Sequence, residues 1–213
     1  MRLQLALDTL SREEAKRLVQ LLYQEVDIVE VGTPLLLRCG LKVVEEIKEI
    51  VGAKPVFADA KIVDAGRYET EMLLQSGANM VSVLAGASFS TLKEAKEICV
   101  KKQAELVVDT IDLPDPSPKR IEELRIISPD YVALHLASDL VQAGRSWEEV
   151  MPSSPFLQES FAFMVAGGLR PESLPRVLTL LEPQIVVVGS AVTTSSNPQE
   201  EVKRLKEVLH ELA

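Results

Sequence analysis

The chain has 213 residues, 46% of them hydrophobic and only 4% aromatic, with a formal charge of -9 at pH 7. That length suits one large domain or two small ones, and the apolar share excludes a disordered chain. The acidic balance disfavours broad nucleic-acid binding, because phosphate backbones attract basic patches.

With so few aromatics the core must be built from Leu, Val, Ile and Ala, as in a parallel sheet covered by helices. Short β-rich runs alternate with amphipathic segments along the whole chain. "RLQLALD" is followed by "SREEAKRLVQLLYQE", where Ser11 and Glu14 have capping-box spacing. "DIVEVG" precedes one helical stretch, "PLLLRCGLKVVEEIKEIVG". "PVFADAK" precedes "GRYETEMLLQSG", and "NMVSVLAG" precedes "SFSTLKEAKEICVKKQ". "ELVVDTI" is followed by a Pro-rich loop, "LPDPSPKR", and the helix "KRIEELRIIS". "DYVALHL" precedes a helical stretch around "SWEEVMP", and "FAFMVAGG" precedes "RPESLPRVLTLLE". "QIVVVGSA" and the helix "NPQEEVKRLKEVLHELA" complete the series.

Eight such units, recurring about every 27 residues, predict a (β/α)8 TIM barrel occupying residues 1–213 as a single domain. A doubly wound open sheet is the competing fold, but no GxGxxG follows the first strand. No low-complexity linker divides the chain. No apolar run reaches the roughly 18 residues that span a membrane, so no membrane partner is expected. The first residues lack the long apolar region of a signal peptide. Cys39 and Cys99 have no CxxC spacing and read as structural thiols of a reducing compartment, so a cytoplasmic protein is expected.

In this architecture function sits where strands end and βα loops begin. Those positions hold Asp8, Glu30, Asp59, Lys61, Asp64, Asp109, His135 and Asp139, then Gly167 and Gly168, then Gly189 and Ser190. Glycines after the last two strands let backbone N–H groups approach a phosphate. Taken singly, "AGG" and "GSA" are equally tight turns. Glu30 and Asp59 end neighbouring strands, and two hard carboxylates suit Mg2+ with water completing the shell. The same spacing also fits a structural ion-pair network. Lys61 beside them can neutralise the site and stabilise an oxyanion. His135 is placed for general acid–base work or for packing, whereas His210 lies in the acidic last helix. Asp109 and Asp139 read either as helix N-caps or as loop carboxylates.

In order and spacing, "LQLALD", "DIVEVGTP", "ADAKIVDAG", "VDTI", "DYVALH" with Asp139 beyond it, "VAGG" and "VVVGSAVT" resemble the 3-hexulose-6-phosphate synthases. These are formaldehyde-fixing aldolases of the ribulose monophosphate pathway. They belong to the suprafamily of orotidine 5′-phosphate decarboxylase and 3-keto-L-gulonate-6-phosphate decarboxylase. The resemblance covers essentially the whole chain, and the D-x-K-x-x-D of Asp59, Lys61 and Asp64 is its specific signature.

The resemblance implies that Glu30 and Asp59 bind Mg2+ and that Lys61 hydrogen-bonds an enediolate oxygen. It implies that Asp8 orients substrate hydroxyls or Lys61, and that His135 shuttles a proton. Gly167, Gly168, Gly189 and Ser190 would hold the phosphate, with Asp109 and Asp139 also on the substrate side. Asp64 would reach into the partner's site of a homodimer with shared active sites. The implied substrates are ribulose 5-phosphate and formaldehyde, with a ketogulonate-phosphate decarboxylase as the alternative through the same intermediate. Pro34 after Thr33, Asp109 in place of Glu, and Ser138 in place of Arg favour the aldolase. Leu136-Ala137 and Gly189-Ser190 depart from the synthase pattern of Thr-Gly and Gly-Gly. A non-catalytic phosphosugar-binding barrel is the reading from a different class.

Overall fold

The computed structural model describes residues 1–111, 113, 116–150 and 154–212. Its sheet is a closed barrel in which every strand pairs in parallel with the next and the last pairs with the first. In chain order the elements are β1 (Arg2–Leu7), α1 (Arg12–Leu22), β2 (Ile28–Val31), α2 (Thr33–Cys39), α3 (Lys42–Val51) and β3 (Val56–Ile62). They continue with α4 (Gly66–Gln75), β4 (Met80–Leu84), α5 (Phe89–Lys102), β5 (Glu105–Asp109), α6 (Pro118–Ile127) and β6 (Tyr131–His135). The last third holds α7 (Ser138–Gln142), α8 (Trp147–Val150), β7 (Phe163–Ala166), α9 (Leu174–Leu180), β8 (Ile185–Val188), α10 (Ser190–Thr193) and α11 (Pro198–Glu211).

The barrel is therefore the one the strand count predicts, with two local corrections. The stretch expected as one helix after β2 is two, because Gly40 takes a left-handed φ of 65° and ends α2. Glycine is the residue that adopts this conformation without a Cβ penalty. Short helices α7 and α10 add turns immediately after β6 and β8. Asp59 and Lys61 lie inside β3, as the run "PVFADAK" predicts. Within the Pro-rich loop, Pro114 and Asp115 fall outside the described residues, as do Met151 and Pro152 after α8. The capping box at α1 forms as its spacing predicts, Ser11 and Glu14 each capping the other's backbone N–H.

Period-two alternation sorts the strand residues into two cores. Outward-facing Leu5, Val29, Ala58, Val81, Val108, Leu134, Val165 and Val186 pack under the helices. Inward-facing Ala6, Ile28, Phe57, Met80, Val107, Ala133, Met164 and Val187 fill the barrel itself. Both strand faces are buried, which is why the runs read as almost continuously apolar.

At the base of the barrel one fastening recurs four times. The residue immediately before an even-numbered strand accepts a hydrogen bond in its side chain from an N–H near the start of the preceding strand. Leu3 donates to Asp27 at 2.8 Å, Val56 to Asn79 at 3.1 Å, Leu106 to Asp130 at 2.8 Å and Phe163 to Gln184 at 2.6 Å. Each acceptor residue returns its own backbone N–H to the carbonyl of the same strand residue, at 2.8, 2.8, 3.0 and 2.9 Å. Strand-end groups that would otherwise lack partners are thereby satisfied in pairs. No helix among the described residues is long and apolar enough to cross a membrane.

Candidate active site

The mouth follows from the same alternation. Two residues beyond each inward apolar side chain, toward the strand C-terminus, stand Asp8, Glu30, Asp59, Ser82, Asp109, His135, Ala166 and Gly189. Five of the eight are ionisable, although this face of the strands is otherwise packed with hydrocarbon. Glu30, Asp59 and Asp109 are buried, at 6%, 5% and 3% exposure.

Lys61 organises them. Its ammonium pairs closely with Asp59 Oδ2 and lies 3.3 Å from Asp109 Oδ2. That same Asp109 oxygen is 3.0 Å from His135 Nδ1. An ionised carboxylate only accepts, so Nδ1 carries the proton and Nε2 is left for proton transfer. Lys61 reaches this position through a register irregularity in β3 and a left-handed φ of 50°. Such a conformation costs a non-glycine residue on the order of 1 kcal/mol. Ser82 on β4 stabilises it: its hydroxyl accepts from Lys61 N at 2.9 Å and donates to Asp59 Oδ1 at 2.7 Å. Thr33 donates to the Asp59 carbonyl at 2.6 Å.

The electrostatics are unbalanced. Burial, with Asp59 and Asp8 close by, holds the Glu30 carboxyl well above the usual carboxylate range. Burial and Asp59 also raise Asp8. Burial opposes the charge on Lys61, but Asp59 and Asp109 outweigh it and keep the ammonium protonated beyond the ordinary lysine range. Asp109 is pushed up by burial but brought below its ordinary value by His135, Lys61 and the N–H of Ile111. Beneath the mouth, Gln4 donates to Glu30 Oε2 at 2.6 Å while its own Oε1 has no partner among the described residues.

Asp8 just follows β1, in space opened by Gly32, where a Cβ would come 2.0 Å from Asp8 Oδ1. Gly189 borders the same carboxylate, 3.3 Å from Oδ2 to a Cβ placed there. Asp109 closes β5 and joins Lys61 to His135, so it is neither a helix N-cap nor a loop carboxylate; the N-cap of α6 is Ser117. Gly167 and Gly168 follow β7 with φ of 110° and 66°, and Ser190 opens α10 in an exposed position. Asp139, in the first turn of α7, and Asp64, between β3 and α4, are both exposed and take no part in the contacts described above. Sequence reasoning missed Gln4 and Ser82, noted Thr33 without giving it a role, and left Trp147 unexamined. The period-two register finds Ser82, since it shares the inward phase of Met80.

Three comparisons place the chain among known proteins. Residues 1–205 match the orotidine 5′-phosphate decarboxylase / HUMPS family. A Bacillus subtilis (strain 168) protein named 3-hexulose-6-phosphate synthase is 34% identical over 209 residues, covering 98% of this chain and 99% of that one. The crystal structure of 3-hexulose-6-phosphate synthase from Salmonella typhimurium superposes with a TM-score of 0.92 at 34% identity, covering all of both chains. A ligand-bound structure of KGPDC from Streptococcus mutans gives a TM-score of 0.91 at 23% identity over 99% and 98% of the two chains, which is likeness of fold alone. The chain belongs to the orotidine 5′-phosphate decarboxylase / HUMPS family.

Proposed function

We propose that the protein is an aldehyde-lyase of the 3-hexulose-6-phosphate synthase type, joining ribulose 5-phosphate to formaldehyde and reversing that reaction. The observation that carries the reading is the continuous run Asp59–Lys61–Asp109–His135 at the barrel mouth. The substrates follow from the relatives' name, at 34% identity over nearly the whole chain.

The run has the parts that this chemistry needs. Deprotonating the carbon beside the ketone of ribulose 5-phosphate places negative charge on adjacent oxygens. His135 Nε2 receives that proton, with Asp109 holding the ring by Nδ1 and stabilising the imidazolium. The Lys61 ammonium, kept charged by two carboxylates, donates to the developing oxyanion. The carbon forms its new bond to the formaldehyde carbon, and the resulting alkoxide takes the proton back. Glycines after β7 and the start of α10 after β8 supply N–H groups to the substrate phosphate.

Glu30 and Asp59 are the proposed holders of Mg2+. Among the described residues no group of three His, Cys, Asp or Glu side chains is arranged to hold a metal by itself. Two hard carboxylates with water and substrate oxygens suit Mg2+, which keeps several non-protein ligands. Burial, and then neighbouring carboxylates, raise Glu30 and Asp8, and a cation beside them would favour their charged forms. When bound, the ion supplies Lewis-acid stabilisation of negative charge on substrate oxygens.

A homodimer with shared sites is part of the proposal. Asp64 is exposed on the same rim as two exposed apolar side chains, Val63 at 59% and Tyr68 at 67%. Mixed Lys61→Ala and Asp64→Ala subunits should regain activity as verified heterodimers, and no regain would dismiss the shared site. The free thiols of Cys39 and Cys99 fit a reducing compartment such as the cytoplasm.

The decisive assay incubates the protein with ribulose 5-phosphate, formaldehyde and Mg2+. Formaldehyde loss matched by hexulose phosphate supports the reading. Release of CO2 from 3-keto-L-gulonate 6-phosphate without formaldehyde turnover replaces it with the decarboxylase.

A further inference from the structure

We propose that Trp147 is a positioning residue that sets the orientation of the Gly167–Gly168 peptide, and so aims the Gly168 N–H at the substrate phosphate. The inference rests on reading the turn after β7 as part of the phosphate site.

A peptide flanked by two glycines has little steric preference for one face over the other. Both glycines are in the left-handed half of the backbone map, with φ of 110° and 66°. Neither carries a side chain to select the orientation: a Cβ at Gly167 would meet the Leu136 carbonyl at 2.0 Å, and the positive φ of Gly168 disfavours one there. The selection must come from outside the turn.

Trp147 supplies it. The indole is buried, at 4% exposure, and its Nε1–H donates to the Gly167 carbonyl at 2.8 Å. The peptide is planar and trans, so its N–H points opposite to its C=O. Fixing the carbonyl on the indole fixes the Gly168 N–H on the other side. Gly168 is exposed, and its N–H has no partner among the described residues. A donor so placed is what an anion at the mouth needs. The β6–β7 crossover braces the turn twice more: Leu136 N donates to the Ala166 carbonyl at 2.9 Å, and Val141 abuts Gly168. The segment leaving His135 thus also carries the lock on the phosphate turn.

Because the chain has a single tryptophan, its replacement is site-specific. The test compares wild type with Trp147→Phe and with protein in which that tryptophan is 3-benzothienylalanine, an isostere with sulfur for the N–H. Ribulose 5-phosphate and inorganic phosphate binding are measured by calorimetry, and KM and kcat by formaldehyde consumption. Loss of one hydrogen bond's orienting effect should weaken both ligands about three- to tenfold, raising KM while kcat stays within about twofold. The isostere, which keeps the packing, should show the same loss as Phe. If the isostere binds both ligands as wild type does, Trp147 has no positioning role, whatever Phe does to stability. If wild type itself binds neither ligand, the phosphate reading falls and this inference with it.

Discussion

The two ends of the barrel treat polar groups in opposite ways. At the base, four acceptors in equivalent positions, Asp27, Asn79, Asp130 and Gln184, each close a two-bond ring with the neighbouring strand. Charge there is matched as well: Lys96 lies 2.7 Å from Asp130, and Arg2 donates to Tyr131 at 2.5 Å. At the mouth no device repeats. Glu30, Asp59, Asp8 and Asp109 gather around a single lysine and one histidine, and Glu30 and Asp8 are pushed up first by burial and then by their carboxylate neighbours. A fold that satisfies one end so regularly has no structural need for uncompensated carboxylates at the other. That imbalance is what the proposed Mg2+ would offset.

Replacing Lys61 tests that contrast most severely. Lys61→Ala should lower kcat/KM for formaldehyde fixation by about 100- to 1000-fold, the usual loss for one donor to a developing oxyanion. Steady-state formaldehyde consumption measures it. Should activity survive while the melting temperature collapses, the mouth charges would be structural, like those at the base.

The proposed Mg2+ comes next. Chelation should abolish activity, and Mg2+ at about 100 times its Kd should stabilise the wild-type fold by about 2.7 kcal/mol. Glu30→Gln should lose that Mg2+-dependent rise in thermal stability. A Glu30→Gln melting curve that still shifts with Mg2+ as the wild type does would place the ion elsewhere.

The base should respond in the converse way. Asp130→Ala leaves Leu106 N and Lys96 without their acceptor, at a cost of about 1–3 kcal/mol. Denaturant titration should show that loss while kcat/KM stays at the wild-type value. A fall in kcat/KM larger than the fall in stability would break the division of labour between the ends.

The mouth was more legible in the sequence than the base, for a physical reason. Glu30 and Asp59 interrupt apolar strands while Asp8, Asp109 and His135 stand at strand ends, and an ionisable residue in or at the end of such a run needs an explanation that the run itself does not give. Ser82 carries no such signal. A serine inside "MVSVL" is an ordinary alternation, and its two bonds to β3 exist only once β3 and β4 are in register. The base fastenings are equally hidden, because Asp27 or Gln184 before a strand looks like common loop polarity until the neighbouring strand's N–H is beside it. Trp147 is 20 residues from the carbonyl it holds, so closure of the β6–β7 crossover had to be seen. The split after α2 falls at Gly40, inside a stretch read as one helical segment.

One carboxylate at the base is an exception, and it gives the finest test. Glu105 opens β5, and burial raises it above its ordinary value, Arg2 offsetting and Asp130 adding to the effect. A folded-state value above the unfolded one means that the native chain binds more protons in the window between them. Stability from this group therefore falls as pH rises from about 4.5 through the folded value, and the loss is complete above it. Glu105 is partly exposed, so water screens the effect and keeps it small. Glu105→Gln removes the titration, so the stability of the variant relative to wild type should rise between pH 4.5 and pH 7 in denaturant unfolding. A relative stability that instead falls over that interval would mean that the ionised Glu105 is welcomed by Arg2. The base would then be balanced at this position too, and the contrast with the mouth would be complete.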